Sequence, residues 1–199
     1  RNTVEFSAYA FNQDRVKSET TRQNFEIKLP TVKKGKTYLI SIGVNAYENP
    51  AYNLQFADDD ARQTQEILAS RLETGEQKVV KISLISDYNS ETRQVTEKNA
   101  AKPVIKAVFS LLAGEDRAKI KPEILRQIPN YNQIEQIQPE DTLIISFSGH
   151  GYADQNGIFY LLPFDIGKET NKLSAEVLPK LISSDELSLW MREITAQEM

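Results

Sequence analysis

A single histidine and no cysteine occur in 199 residues, so very few side chains here could act as a proton shuttle or a strong nucleophile. The histidine, His150, lies between two glycines in Ser148-Gly149-His150-Gly151, directly after the apolar run Leu143-Ile144-Ile145-Ser146-Phe147. Imidazole is the side chain whose unperturbed pKa lies nearest neutrality, which suits it to proton transfer. Glycines on either side let the backbone turn sharply and bring main-chain N–H groups close to a ligand. The other group that stands out is the run Asp58-Asp59-Asp60 at the start of a helical pattern. N-capping and the helix macrodipole account for three aspartates there, so binding and capping stay open for them. A half-buried histidine that closes a strand likewise stays open beside a catalytic one. With one histidine and no thiolate, a zinc site would need carboxylates almost alone, and none is expected.

These residues need elements to position them. Residues 143–147 read as a strand buried on both faces, as in a parallel sheet, and a polar residue just past such a strand lies where open α/β sheets keep their ligand sites. Residues 37–44 read as the first buried strand, followed by a loop at 45–50. A helix then runs to about Arg71, with Ala61, Thr64, Ile67 and Leu68 on one apolar face. Residues 79–85 are the second strand and 86–99 a polar loop. The helix expected at 102–113 has Pro103 in its tolerated first turn and Gly114 after its end. Residues 116–138, polar and containing Pro122 and Pro129, read as a surface insertion with a short helix at 122–127. Residues 157–162 form a strand ended by Pro163. Ser183-Ser184-Asp185-Glu186 is a capping-box pattern opening a helix of Leu187, Leu189, Trp190 and Ile194. Strands alternating with helices give an α/β fold with a largely parallel sheet. Residues 1–33 differ: 4–11 and 24–29 alternate with period two, which predicts a β ribbon ended by Pro30 and Lys33-Lys34-Gly35. Two strands are rarely stable alone, so the ribbon is expected to pair with the main sheet or an upstream domain. The expected division is an extension at 1–35 and one domain at 36–199.

Composition narrows the function classes. A net charge of −4 and a pI near 5.2 argue against a nucleic-acid-binding face, and the short Lys33-Lys34-Gly35-Lys36 run reads as a solvated linker. With 40% hydrophobic and 26% charged residues the chain is an ordinary globular sequence, and no stretch is long and apolar enough to span a bilayer. A cytoplasmic location is expected, although the lack of cysteine leaves the redox compartment undetermined. Gly43-Val44-Asn45-Ala46-Tyr47 lacks both the Walker and the dinucleotide fingerprints, which disfavours a nucleotide-binding domain. The chain starts at Arg1 without an initiator methionine and is expected to be a processed piece of something longer.

Pro139-x-Asp141-x-Leu-Ile-Ile-Ser-Phe-Ser-Gly-His150-Gly resembles the catalytic-histidine strand of the caspase-like cysteine peptidases, in their metacaspase and bacterial form. Three further stretches resemble the family in the right order. They are Tyr38-Leu-Ile-Ser-Ile-Gly-Val-Asn-Ala-Tyr47, then Leu54-x-x-Ala57-x-x-Asp60-Ala61, then Tyr160-Leu-Leu-Pro-Phe-Asp165 with Ile182-Ser-Ser-Asp-Glu-Leu187. The resemblance covers the chain from about Lys36 onward and implies a caspase-like three-layer α/β/α sandwich. It makes His150 the catalytic histidine, which assists the cysteine thiolate and protonates the leaving amine. It makes Gly151 an oxyanion-hole donor through its backbone N–H. Asp60 and Ser148 match residues of the primary specificity pocket, where a buried carboxylate would select Arg or Lys in a protein or peptide substrate. Aspartate-specific members use an arginine contributed partly by the loop after the first strand, and residues 45–56 contain none.

The family's cysteine follows its histidine by roughly 50 residues, at the end of the next buried strand. No cysteine is present in this chain, so a downstream small-subunit segment or second chain is expected to supply it. The alternative is a non-catalytic caspase-like interaction module. The resemblance further implies an upstream regulatory domain, proteolytic zymogen processing and no required cofactor. Calcium activates many metacaspases, but Asp58 and Asp59 have the spacing of a helix start rather than of an EF-hand.

Overall fold

The computed structural model describes residues 3–26, 35–75, 77–168, 173–174 and 176–194. They divide into two units, Arg1–Lys33 and Lys34–Met199. In the first, β1 (Thr3–Ala8) pairs antiparallel with β2 (Thr21–Glu26), Val4 opposite Phe25 and Glu5 opposite Asn24. The period-two pattern sorts its side chains, with Val4, Phe6 and Phe25 on one face and Glu5 and Arg22 on the other. Phe6 and Phe25 meet edge to face at 5.4 Å. The ribbon forms a two-stranded sheet of its own. β2 begins three positions earlier than its pattern indicates; the parts of that strand and linker at residues 27–34 lie outside the described residues.

The second unit is built on a four-stranded sheet in the order β5-β4-β3-β6. β3 (Lys36–Val44) pairs parallel with β4 (Lys78–Tyr88) on one side and with β6 (Thr142–Ser148) on the other. β5 (Val95–Lys98) adds an antiparallel edge within the stretch expected to be loop. The helices are α1 (Ala57–Glu73), α2 (Lys102–Leu112), the short α3 (Pro122–Leu125) and α4 (Ser184–Arg192). A small antiparallel sheet joins β7 (Gly151–Ala153), β8 (Phe159–Leu161) and β9 (Ile182–Ser183). The architecture is therefore mixed α/β, with a mostly parallel sheet packed by helices.

The two faces of the sheet are made differently. Tyr38, Ile40, Ile42 and Val44 alternate onto the face whose core includes Val80, Ile82, Leu84 and the apolar side of α2. The other face carries a row of aligned serines, Ser83, Ser41 and Ser146, beneath α1. Gln65 of α1 accepts from Ser83 Oγ at 2.6 Å and donates to the Leu39 carbonyl at 3.1 Å, while Ser146 Oγ donates to Ser41 Oγ at 3.0 Å. α1 sits close because Gly43 has no side chain. A Cβ there would lie 2.7 Å from the Ala57 carbonyl oxygen and 2.9 Å from Ala61 Cβ. Its buried stripe is accordingly Ala57, Ala61, Gln65 and Ala69, whereas Thr64 and Ile67 of the expected apolar face are exposed.

Two other expectations change. Residues 116–138 are not a surface insertion, since Ile120, Ile128, Ile134 and Ile137 are buried in the main core. The strand before His150, expected to be buried on both faces, is only partly buried. β6 lies at the edge of the four strands, and of its residues only Leu143 is fully buried. The capping box at Ser183 is present: its hydroxyl accepts from the Glu186 N–H, and the Glu186 carboxylate accepts from the Ser183 N–H.

Candidate functional site

Strand order reverses between β3 and β6, because the chain passes from β3 to β4 on one side and later returns to β6 on the other. Such a switch point opens a crevice beyond the carboxyl ends of the two strands. The loop after β3 and the turn after β6 meet there, and His150 is in that turn.

Two hydrogen bonds and two ring contacts hold the half-buried imidazole and its backbone. The His150 main-chain N–H donates to the Tyr47 hydroxyl oxygen at 3.0 Å. His150 Nε2 lies 3.0 Å from the Tyr52 carbonyl oxygen. A carbonyl only accepts, so Nε2 carries a hydrogen and Nδ1 is the basic nitrogen of the neutral ring. The Tyr47 ring lies 5.5 Å from the imidazole, tilted by 39°, and Tyr52 meets it edge-on at 6.0 Å. Burial pushes the Tyr47 phenol up to about 12, partly offset by the His150 N–H, so the group is neutral and its oxygen an ordinary acceptor.

The loop bearing the two tyrosines is fixed along its length. The Tyr47 N–H donates to Asn53 Oδ1 at 2.9 Å, the Glu48 N–H to the Phe164 carbonyl at 2.9 Å and the Leu54 N–H to the Asn45 carbonyl at 2.8 Å. The Gly167 N–H donates to the Glu48 carboxylate at 3.0 Å. Asp165, from the same post-histidine segment, accepts from the Lys102 N–H at 2.7 Å and so caps α2 from a distance; burial raises its pKa.

Gly151 begins β7 opposite Leu161. The Leu162 N–H donates to the His150 carbonyl at 3.0 Å. In a planar trans peptide the N–H points opposite to the C=O, so the Gly151 N–H is directed away from β8, out of the small sheet. Among the described residues no strand pairs with β7 on that side.

The remaining expected residues are placed less closely. Ser148 ends β6 on the same face as Ser146, the face covered by α1. Asp60 lies in the first turn of α1 with its side chain exposed, so the buried carboxylate of the Asp58-Asp59-Asp60 run is Asp58 instead. Among the described residues no hydrogen bond or ion pair joins Asp60 or Ser148 to His150. Nor do the aspartates cap α1: its N-cap is Phe56, and Asn45 Oδ1 accepts the Ala57 N–H at 2.8 Å.

Asn45 Nδ2 donates to both Asp58 Oδ1 and Asp87 Oδ1, the second at 3.2 Å. Burial and then the neighbouring Asp87 raise the pKa of Asp58. The cavity beside them, about 560 Å³, is lined by Asn45, Phe56, Asp58, Asp87, Tyr88 and Arg93 among others. No group of three or more His, Cys, Asp or Glu side chains among the described residues is arranged to hold a metal ion, and Asp58 already faces an amide, so the pair Asp58 and Asp59 does not fit a calcium site.

Sequence reasoning singles out His150 and Gly151 as candidates but not their neighbours Tyr47 and Tyr52, which look like ordinary loop aromatics. The available signal is their place in the loop directly after the first strand. Among the described residues no helix is long and apolar enough to cross a membrane. No protein-family model, curated protein or solved structure matches the chain.

Proposed function

We propose that this chain is most of the large-subunit part of a caspase-like cysteine endopeptidase, built as a three-layer α/β/α sandwich and acting on protein or peptide substrates in the cytoplasm. The observation that carries the reading is the position of His150 at the switch point, after an edge strand whose outer side is unpaired among the described residues. A strand added parallel to β6 would end beside the imidazole, and a cysteine at its end would complete a Cys–His dyad. A downstream segment or second chain supplies that strand.

In this reading the thiolate attacks the substrate carbonyl carbon, and the Gly151 N–H, directed out of the small sheet, donates to the developing oxyanion. His150, oriented by the Tyr52 carbonyl, delivers to the leaving amine the proton that its Nδ1 took from the thiol, as the C–N bond breaks. It then takes a proton from the water that hydrolyses the acyl-enzyme, which returns the thiolate. Cleavage after Arg or Lys follows from an acidic residue at the primary pocket. In this reading Asp60 keeps that role, as an exposed carboxylate rather than a buried one. No step uses calcium.

The experiment is hydrolysis of an arginyl-aminomethylcoumarin peptide by this chain combined with its cysteine-bearing partner segment. His150→Ala should reduce turnover by about 10²–10⁴-fold, the range for loss of a general acid–base group. Cleavage only after aspartate would keep the peptidase and remove Asp60 from the pocket. A second reading, a non-catalytic caspase-like interaction module, is favoured by the absence of any cysteine in these residues. It predicts peptide binding without turnover and indifference to His150→Ala.

A further inference from the structure

We propose that Tyr47 is a positioning residue for His150: its phenol oxygen fixes the turn that carries the imidazole, and its ring sets the plane in which Nε2–H reaches the Tyr52 carbonyl. The use of this device rests on the peptidase reading above, whereas its geometry stands apart from it.

Tyr47 is completely enclosed, although a phenylalanine would fill the same apolar space without burying a hydroxyl. Burying a hydroxyl is unfavourable unless a hydrogen bond offsets the lost water, and the Tyr47 oxygen gains that bond by accepting from the His150 main-chain N–H. That N–H belongs to the peptide just before the imidazole-bearing carbon, so holding it limits rotation of the whole turn. The phenol is itself held rigidly, since both Tyr47 and Glu48 have their main-chain N–H groups bonded to other segments.

Gly149 makes the close approach feasible. A Cβ at that position would lie 3.0 Å from Phe147 Cε1 and 3.2 Å from the Tyr47 hydroxyl oxygen, tighter than ordinary contact. The glycine therefore serves the phenol as well as the turn. With the backbone fixed on one side and the ring enclosed between Tyr47 and Tyr52, the imidazole has one orientation that keeps Nε2 on the carbonyl. A proton-transfer group has to be held in this way, because small misplacements lose much of the rate.

The test uses the fact that this chain has one histidine, so its ring nitrogens give a single set of ¹⁵N signals. In the wild-type chain the neutral ring should show the Nε2–H tautomer. Tyr47→Phe keeps the ring and removes the acceptor. It should lower the ratio of Nε2–H to Nδ1–H tautomer by about tenfold, the weight of one hydrogen bond, with the amide spectrum otherwise preserved. Gly149→Ala presses on the same hydroxyl from the other side and should move the ratio in the same direction; it decides the matter should Tyr47→Phe not fold. Tyr52→Phe leaves the carbonyl in place and should leave the tautomer unchanged.

A Tyr47→Phe chain that melts earlier but keeps the wild-type tautomer would overturn the proposal and make Tyr47 a core residue only. The two readings also fail separately. If the cysteine-complemented protein does not hydrolyse peptides while the tautomer depends on Tyr47, the peptidase reading fails and this inference stands. If hydrolysis occurs and neither kcat nor its pH profile responds to Tyr47→Phe, this inference fails alone.

Discussion

On the β6 side of β3, the loop of residues 45–54 presents aromatic rings and a main-chain carbonyl to an imidazole. On the β4 side, the same loop presents one amide to two carboxylates. The His150 cluster holds its titratable group by packing and by neutral acceptors, so the ring is oriented without a charged partner among the described residues. The Asn45 cluster instead holds charged groups. Asn45 seats the start of α1 with its oxygen and bridges Asp58 and Asp87 with its nitrogen. The difference is a division of labour within one loop, in which one side orients an imidazole and the other anchors the helix that fixes the loop's far end.

The comparison can be broken most forcefully at Gly43, which seats α1 on β3. Gly43→Ala would drive a Cβ into the Ala57 carbonyl and the Asp58 backbone, neither of which is a flexible side-chain end. The expected cost is about 1–3 kcal/mol in denaturant unfolding, the range for overpacking, with the His150 ring signals displaced as well. An unchanged midpoint would mean that the seat of α1 on β3 is not rigid.

Asn45→Ala sharpens the comparison, because it should disturb one side only. Loss of the remote cap costs about 0.5–2 kcal/mol, and the His150 tautomer should be unaffected. A changed tautomer would show that the two clusters are coupled through the loop.

The smallest expected effect is at Asp58, whose carboxyl sits above its usual range because burial, and then Asp87, disfavours the anion. An acid that holds its proton to higher pH in the folded chain than in the unfolded one favours folding at low pH. That contribution is lost as pH rises through the raised pKa. Part of the wild-type stability should therefore decline from the ordinary carboxylate range, about pH 4, up through the raised value. Asp58→Asn should flatten that segment of a plot of Tm against pH. A slope identical to wild type would assign the decline to other groups, such as the half-buried Asp165.

Legibility follows the range of the interactions. The strand before His150, the glycines around it and the alternation of strands with helices are local patterns, and they locate the switch-point histidine. Tyr47 is not legible as its partner, because the bond joining them spans the whole central part of the chain. The phase of α1 differs from expectation for a related reason. Ile67 looks like a core residue by periodicity, but the sheet meets α1 through Gly43 and three serines, which selects the small residues Ala57, Ala61 and Ala69 together with Gln65. That phase also decides that Asp58 rather than Asp60 is buried. In residues 116–138 the isoleucines are too widely spaced to show a period, yet Ile120, Ile128, Ile134 and Ile137 each reach the core.

The sequence by itself determined the α/β class, the capping box at Ser183, the turn that carries the sole histidine and the absence of a thiol. Each follows from residue types and short spacings, where sterics and local hydrogen bonds dominate. Only the tertiary structure decided that β6 lies at a sheet edge, that the Gly151 N–H points out of the small sheet, and that a buried phenol and a main-chain carbonyl hold His150. Those outcomes depend on which distant segments pack together, and packing energy is summed over contacts that no local pattern encodes.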